Sequence, residues 1–123
     1  MHALIIEDDH MTATVIEFVL RECGFDSFDV ESSSEGAIAA AQEHRPDLIT
    51  ADMMLDAGTG MEAVTAISPQ ETIPVVFITG SALQIRDRIC RHAVLGKPFS
   101  EQTLTYAVAA SMASMESERT VAA

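Results

Sequence analysis

Short apolar runs recur along the chain, spaced to leave room for one helix between neighbours. Ala3-Leu4-Ile5-Ile6 opens the series, and an apolar run of that length bounded by polar residues reads as a strand. Val15, Ile16, Val19 and Leu20 follow at helical spacing with Gly24 as a stop signal, which predicts a helix over 11–23. A strand around Phe28-Asp29-Val30 comes next. Ser32-Ser33-Ser34-Glu35 places Ser and Glu three residues apart ahead of Ala37, Ile38 and Ala41, a capping pattern for a second helix that Pro46 closes. Asp47-Leu48-Ile49-Thr50-Ala51-Asp52 is a third strand. Asp56-Ala57-Gly58-Thr59-Gly60 is turn chemistry before a short helix through Met61, Val64 and Ile67. Pro69 and Pro74 bracket the next connection. Val75-Val76-Phe77-Ile78-Thr79 is nearly all apolar, as a strand buried on both faces should be, and is expected at the centre of the sheet. The segment 80–91 has weak periodicity and three arginines, so only a short or irregular fourth helix is expected. His92-Ala93-Val94-Leu95 is the last strand, and Ser100 caps a final helix carrying Leu104, Val108 and Met112.

Strand and helix alternate throughout, which predicts an α/β fold: a parallel sheet with helices on both faces, its topologies limited by right-handed crossovers. A chain of 123 residues supports one core. The expected division is a domain over 1–113 and a frayed polar tail over 114–123.

Charge narrows the function. Seven basic residues against 19 acidic give a net charge of −12, which repels nucleic-acid phosphates and anionic membranes, so neither is an expected partner. No run approaches the roughly 18 apolar residues of a membrane span. The acids that follow the first strand do not suit a signal peptide, and the expected location is the cytoplasm. Cys23 and Cys90 lack a CxxC spacing and read as reduced thiols. His2, His10, His44 and His92 show no ligand spacing and read as surface or strand-end residues, while Met53-Met54 and Met112 read as core filler.

The chemistry lies just past the apolar runs. Glu7-Asp8-Asp9 follows the first strand and Asp52 ends the third, so in a parallel sheet these carboxylates converge at one edge, where open α/β folds bind ligands. Crowded carboxylates repel unless a cation joins them, and oxygen ligands of this kind suit Mg²⁺. Thr79 follows the fourth strand and Lys97-Pro98-Phe99 the fifth.

This ordered set resembles the receiver domain of two-component response regulators, from Ile5 to about Met112. The resemblance implies a flavodoxin-like sheet of five parallel strands in the order 2-1-3-4-5. It implies that Asp52 accepts a phosphoryl group from the phosphohistidine of a sensor histidine kinase or phosphotransferase. Asp8 and Asp52 would bind Mg²⁺ directly, Glu7 through water, and Met54 through its backbone carbonyl, while Asp9 stands by at the helix start. Lys97 would neutralise charge, Pro98 would follow a cis peptide bond, and Thr79 would move its hydroxyl onto the phosphoryl oxygens. Gly80, Ser81 and Val94 would then belong to the surface that changes for a downstream signalling protein.

Two departures matter. The switch aromatic expected three residues before Lys97 is Val94, and the stretch from Thr79 to Lys97 is short. Phe77-Ile78-Thr79-Gly80 is similar to the core of a subgroup of stand-alone alphaproteobacterial receivers with a reduced fourth helix, except that Ile78 replaces an alanine. That likeness implies a single-domain regulator in general stress signalling, acting through protein partners or as a phosphate sink, with catalysis limited to its own phosphorylation and dephosphorylation. A flavodoxin-like cofactor module is the alternative, but its phosphate loop would want glycines and hydroxyls where Glu7 and Asp8 stand. A haloacid-dehalogenase-type phosphatase would need an aspartate at Met54.

Overall fold

The structure, a computed structural model, describes residues 1–55, 57–70, 72–80 and 93–122, with side chains to Met115. Five strands, β1 (His2–Ile6), β2 (Ser27–Glu31), β3 (Leu48–Asp52), β4 (Val75–Thr79) and β5 (Ala93–Gly96), pair in parallel in the order β2-β1-β3-β4-β5. Helices α1 (His10–Glu22), α2 (Ser34–Glu43), α3 (Gly60–Ile67) and a C-terminal helix (Glu101–Ala122) complete the described elements. This is the expected flavodoxin-like architecture.

Alternation along the strands divides the core. Ala3 and Ile5 of β1 with Val76 and Ile78 of β4 pack with Ile16 and Leu20 of α1 and Leu104 and Val108 of the C-terminal helix. Leu4, Ile6, Ile49, Ala51, Val75 and Phe77 point the other way, onto Ala37 of α2 and Ala63 and Val64 of α3. Truncating a fully buried side chain such as Ile16 to alanine costs roughly 2–5 kcal/mol, a large share of the roughly 5–15 kcal/mol that holds such a domain together.

Each described helix starts on a side-chain cap. Asp9 accepts from Thr12 N–H at 3.2 Å, Ser33 from Gly36 N–H at 3.0 Å, Thr59 from Glu62 N–H at 3.1 Å and Ser100 from Thr103 N–H at 3.1 Å. Helix α1 stops where Gly24, at φ +103°, lets the chain reverse, with Gly24 N–H on the Arg21 carbonyl and Phe25 N–H on that of Leu20.

Several expectations are refined. β4 is not the central strand: it lies between β3 and β5, and β3 holds the middle. Complete burial reports helices on both faces, and β1, β3 and β4 all have it. Val15 is 44% exposed, and the buried face of α1 is Ala13, Ile16, Val19 and Leu20. His2 is at a strand end, as expected, and it is the buried first residue of β1, its ring bonded to Ser27 and Asp29. The C-terminal helix extends to Ala122, past the expected domain end at 113, and Met115 within it is buried. The expected fourth helix, with Ser81, Cys90 and His92, lies outside the described residues.

Candidate functional site

Parallel pairing brings four strand ends together. Glu7 extends β1, held by its N–H on the Glu31 carbonyl at 2.9 Å; Asp52 closes β3, and the Met53 N–H beyond it reaches the Ile78 carbonyl at 3.1 Å. Lys97 follows β5, its N–H on the Thr79 carbonyl at 2.9 Å. Residues distant in sequence thus stand at one level of the sheet edge.

Glu7, Asp8 and Asp52 each offer a carboxylate oxygen, all within 4.8 Å of one another. Two unit charges at that separation repel by roughly 3 kcal/mol at an effective dielectric constant of about 20. Lys97 Nζ answers part of this, donating to Asp52 Oδ2 at 2.8 Å and Glu7 Oε1 at 3.2 Å. Three carboxylates against one lysine still leave two negative charges over. A divalent cation fits that deficit and that all-oxygen donor set.

The acids divide the load unequally. Burial, then the hydrogen bond to Asp52 and its charge, push Glu7 up to about 7, against the pull of Lys97. Burial pushes Asp52 the same way, but hydrogen bonds with Glu7, Lys97 and the Met54 amide outweigh it and hold Asp52 below the usual aspartate range. Of the two, Asp52 is the acid held toward its ionised form and Glu7 the one pushed toward its protonated form. Burial works against the charge on Lys97, but its bonds to Asp52 and Glu7 hold its pKa above the ordinary lysine value.

The other expected residues fall around this centre. Met54 N–H donates to Asp52 Oδ1 at 3.0 Å, and its side chain is exposed rather than filling the core. Thr79 is buried at the end of β4, Gly80 is exposed beyond it, and the Lys97–Pro98 peptide is cis. Val94 sits opposite Phe77 in the β4–β5 ladder and, partly buried, packs against the core cluster on that face of the sheet. Asp9 caps α1 instead of joining the acid cluster.

The model of the response regulator receiver domain family matches residues 3–109. The chain belongs to this family. Among solved structures, the receiver domain of the response regulator PhyR from Erythrobacter litoralis is similar, with TM-score 0.80 and 28% identity over 90% of this chain and 88% of that one. So is the receiver domain of a sensor histidine kinase from Pseudomonas aeruginosa, solved with a magnesium ion coordinated in its active-site cleft: TM-score 0.77 and 28% identity over 91% of this chain and 97% of that one. The DNA-binding response regulator MtrA of Mycolicibacterium smegmatis is 33% identical over 62% of this chain and 33% of its own length. This receiver domain spans about a third or less of the curated relatives that head the comparison. Among the described residues no helix is long and apolar enough to cross a membrane.

One surface escaped the sequence reading. Met11, Val15 and Phe18 are 77%, 44% and 53% exposed, one stripe along the outer side of α1. Met11 and Val15 line an open apolar cleft of about 490 Å³ with Lys97, Pro98 and Phe99. Spacing of i, i+4 and i+7, offset from the buried set, was the available signal.

Proposed function

We propose that this receiver domain takes a phosphoryl group onto Asp52 from the phosphohistidine of a histidine kinase or phosphotransferase, in a Mg²⁺-dependent reaction, and signals through protein partners or drains its donor. The observation that carries this reading is the Asp52 carboxylate on Lys97 Nζ, 2.8 Å apart inside a carboxylate cluster. An attacking carboxylate must be ionised, and Asp52 is the acid held below its usual range. One of its oxygens bonds to phosphorus as the bond from phosphorus to the donor imidazole breaks, the electron pair leaving on the ring nitrogen. Lys97 neutralises charge that spreads over the phosphoryl oxygens. Glu7, Asp8, Asp52 and the Met54 carbonyl would hold Mg²⁺, which when bound supplies further neutralisation of that charge. Thr79 carries the change outward: its carbonyl already holds the Lys97 amide, and its hydroxyl, with Gly80 and Ser81 beyond it, responds to the phosphoryl group. Val94 supplies no aromatic reporter. Phe77-Ile78-Thr79-Gly80 supports a role in general stress signalling.

The donor meets the apolar stripe of α1. Glu22 and Glu101 rim the adjoining groove beside Phe18 and Tyr106, so the matching surface is a helix with apolar side chains flanked by Lys or Arg. Phe18→Ala should slow transfer from such a protein donor and leave acetyl phosphate, which needs no docking, unaffected. Intact-mass analysis after acetyl phosphate and Mg²⁺ tests the centre itself. Wild type should gain one phosphoryl group and Asp52→Asn none; an adduct that persists in Asp52→Asn refutes the assignment.

A further inference from the structure

The return from β3 to α3 is tied down at several points. Gly60 N–H donates to the Met53 carbonyl at 3.4 Å, Met54 and Thr59 form an antiparallel bridge, and Ser34 N–H reaches the Ala57 carbonyl at 3.2 Å. A β-carbon on Gly60 would stand 2.2 Å from the Asp52 carbonyl oxygen, 3.0 Å from its carbonyl carbon and 3.2 Å from Ala51 Cβ. All three atoms are fixed by the backbone of β3. Other glycines differ: a β-carbon on Gly36 would first meet Glu31 Oε1 at 2.5 Å, the free end of a flexible side chain, and one on Gly24 would meet nothing within 4 Å. Nor does Gly60 have the positive φ of Gly24 and Gly58. Alanine is the better helix former, so what glycine supplies here is room.

We propose that Gly60 is a positioning residue for Asp52: its missing side chain lets α3 begin against the acceptor's own carbonyl, fixing where the carboxylate stands relative to Met54 and Lys97. The proposal rests on Asp52 being the phosphoacceptor. Both carboxylate oxygens are already held, Oδ1 by the Met54 amide at 3.0 Å and Oδ2 by Lys97 at 2.8 Å. A methyl group at 60 must displace either the Asp52 peptide or the start of α3, and both routes move the carboxylate against those two donors. A misplacement of about 1 Å at a reacting group can cost roughly a hundredfold in rate.

Phosphorylation by acetyl phosphate with Mg²⁺, followed by intact mass, should be compared in wild type, Gly60→Ala and Gly24→Ala. Gly24→Ala strains a φ of +103° away from the site and controls for lost stability. It should keep the wild-type rate at temperatures where it is folded. Gly60→Ala should lower the maximal rate about ten- to a hundredfold, with the half-saturating acetyl phosphate concentration changed by less than about twofold. A folded Gly60→Ala with the wild-type rate overturns the proposal. A second measurement needs no variant: in ¹⁵N-labelled wild type, Mg²⁺ with beryllofluoride should shift the Gly60 amide resonance and slow its exchange while Gly24 stays put, and an indifferent Gly60 amide overturns the proposal equally. Wild type that gains no phosphoryl mass removes the phosphoacceptor reading itself, an outcome distinct from a phosphorylated wild type matched by Gly60→Ala.

Discussion

The two ends of the sheet handle charge in opposite ways. At the amino end the acids are matched one by one: Asp26 holds the N-terminal ammonium at 3.0 Å, Asp29 takes His2 Nε2 at 3.0 Å, and Asp47 takes the His2 amide at 2.7 Å while its own N–H returns to the His2 carbonyl. The His2 ring, bonded to Ser27 through Nδ1, stacks on His44 at 3.7 Å. At the carboxyl end Glu7 and Asp52 share Lys97, Asp8 stands beside them, and the three carboxylates remain in surplus. Local matching closes the first end as structure. Local excess leaves the second ready for a cation and a phosphoryl group.

Exchanging one residue at each end should separate these roles most widely. Lys97→Ala is expected to slow phosphorylation of Asp52 by about 10²–10³-fold, since it removes a preorganised charge from the transition state. His2→Ala should leave that rate alone and cost about 2–3 kcal/mol of stability through lost packing and unpaired polar groups. Acetyl-phosphate kinetics and denaturant melts check both, and equal effects at the two ends would dissolve the distinction.

A pH series comes next in size. Glu7 has an ordinary value of 4.5 and is raised to about 7 in the fold, so between those values the folded chain keeps a proton that the unfolded chain has released. Its contribution is complete below 4.5 and is lost as pH rises through 7. Without Mg²⁺, stability should therefore decline from pH 5 to pH 7, a slope that Glu7→Gln flattens.

Mg²⁺ addresses the same surplus by mass action. At a concentration about 100 times its dissociation constant it should stabilise the fold by about 2.7 kcal/mol. Melting curves of wild type and Asp8→Asn, with and without the ion, would show whether the effect belongs to the carboxyl end. The smallest effect concerns β3 between the two ends. Among the described residues the buried Thr50 hydroxyl has no hydrogen-bond partner, and Thr50→Val should raise stability by about 1 kcal/mol, visible as a higher denaturation midpoint.

Much of this was legible in the chain because strands buried on both faces leave continuous apolar runs, and the residues just after such runs are the ones a parallel sheet gathers. Glu7, Asp8, Asp52, Thr79 and Lys97 were found that way. The strand order came from the resemblance and holds, but which strand is central was misread from burial, because burial does not distinguish β3 from β4. His2 read as a strand-end residue at most, and its burial was not legible because its partners, Ser27, Asp29 and His44, come from other elements. The exposed stripe on α1 was hidden because Val15 adjoins Ile16 and reads as core until the helix is placed. Gly60 read as turn chemistry, since the carbonyl it accommodates leaves no mark in composition.

The pairing of Glu7 with Lys97 spans 90 positions, and that of Asp52 with Lys97 spans 45. During synthesis the acids leave the ribosome well before the lysine, and the centre is incomplete until β5 has docked on β4. Contacts so distant in sequence are slow to form and arrive together with the finished sheet. Competence to react is thus a certificate of complete folding: a truncated or misassembled chain keeps its acids but has no lysine in place to complete the centre.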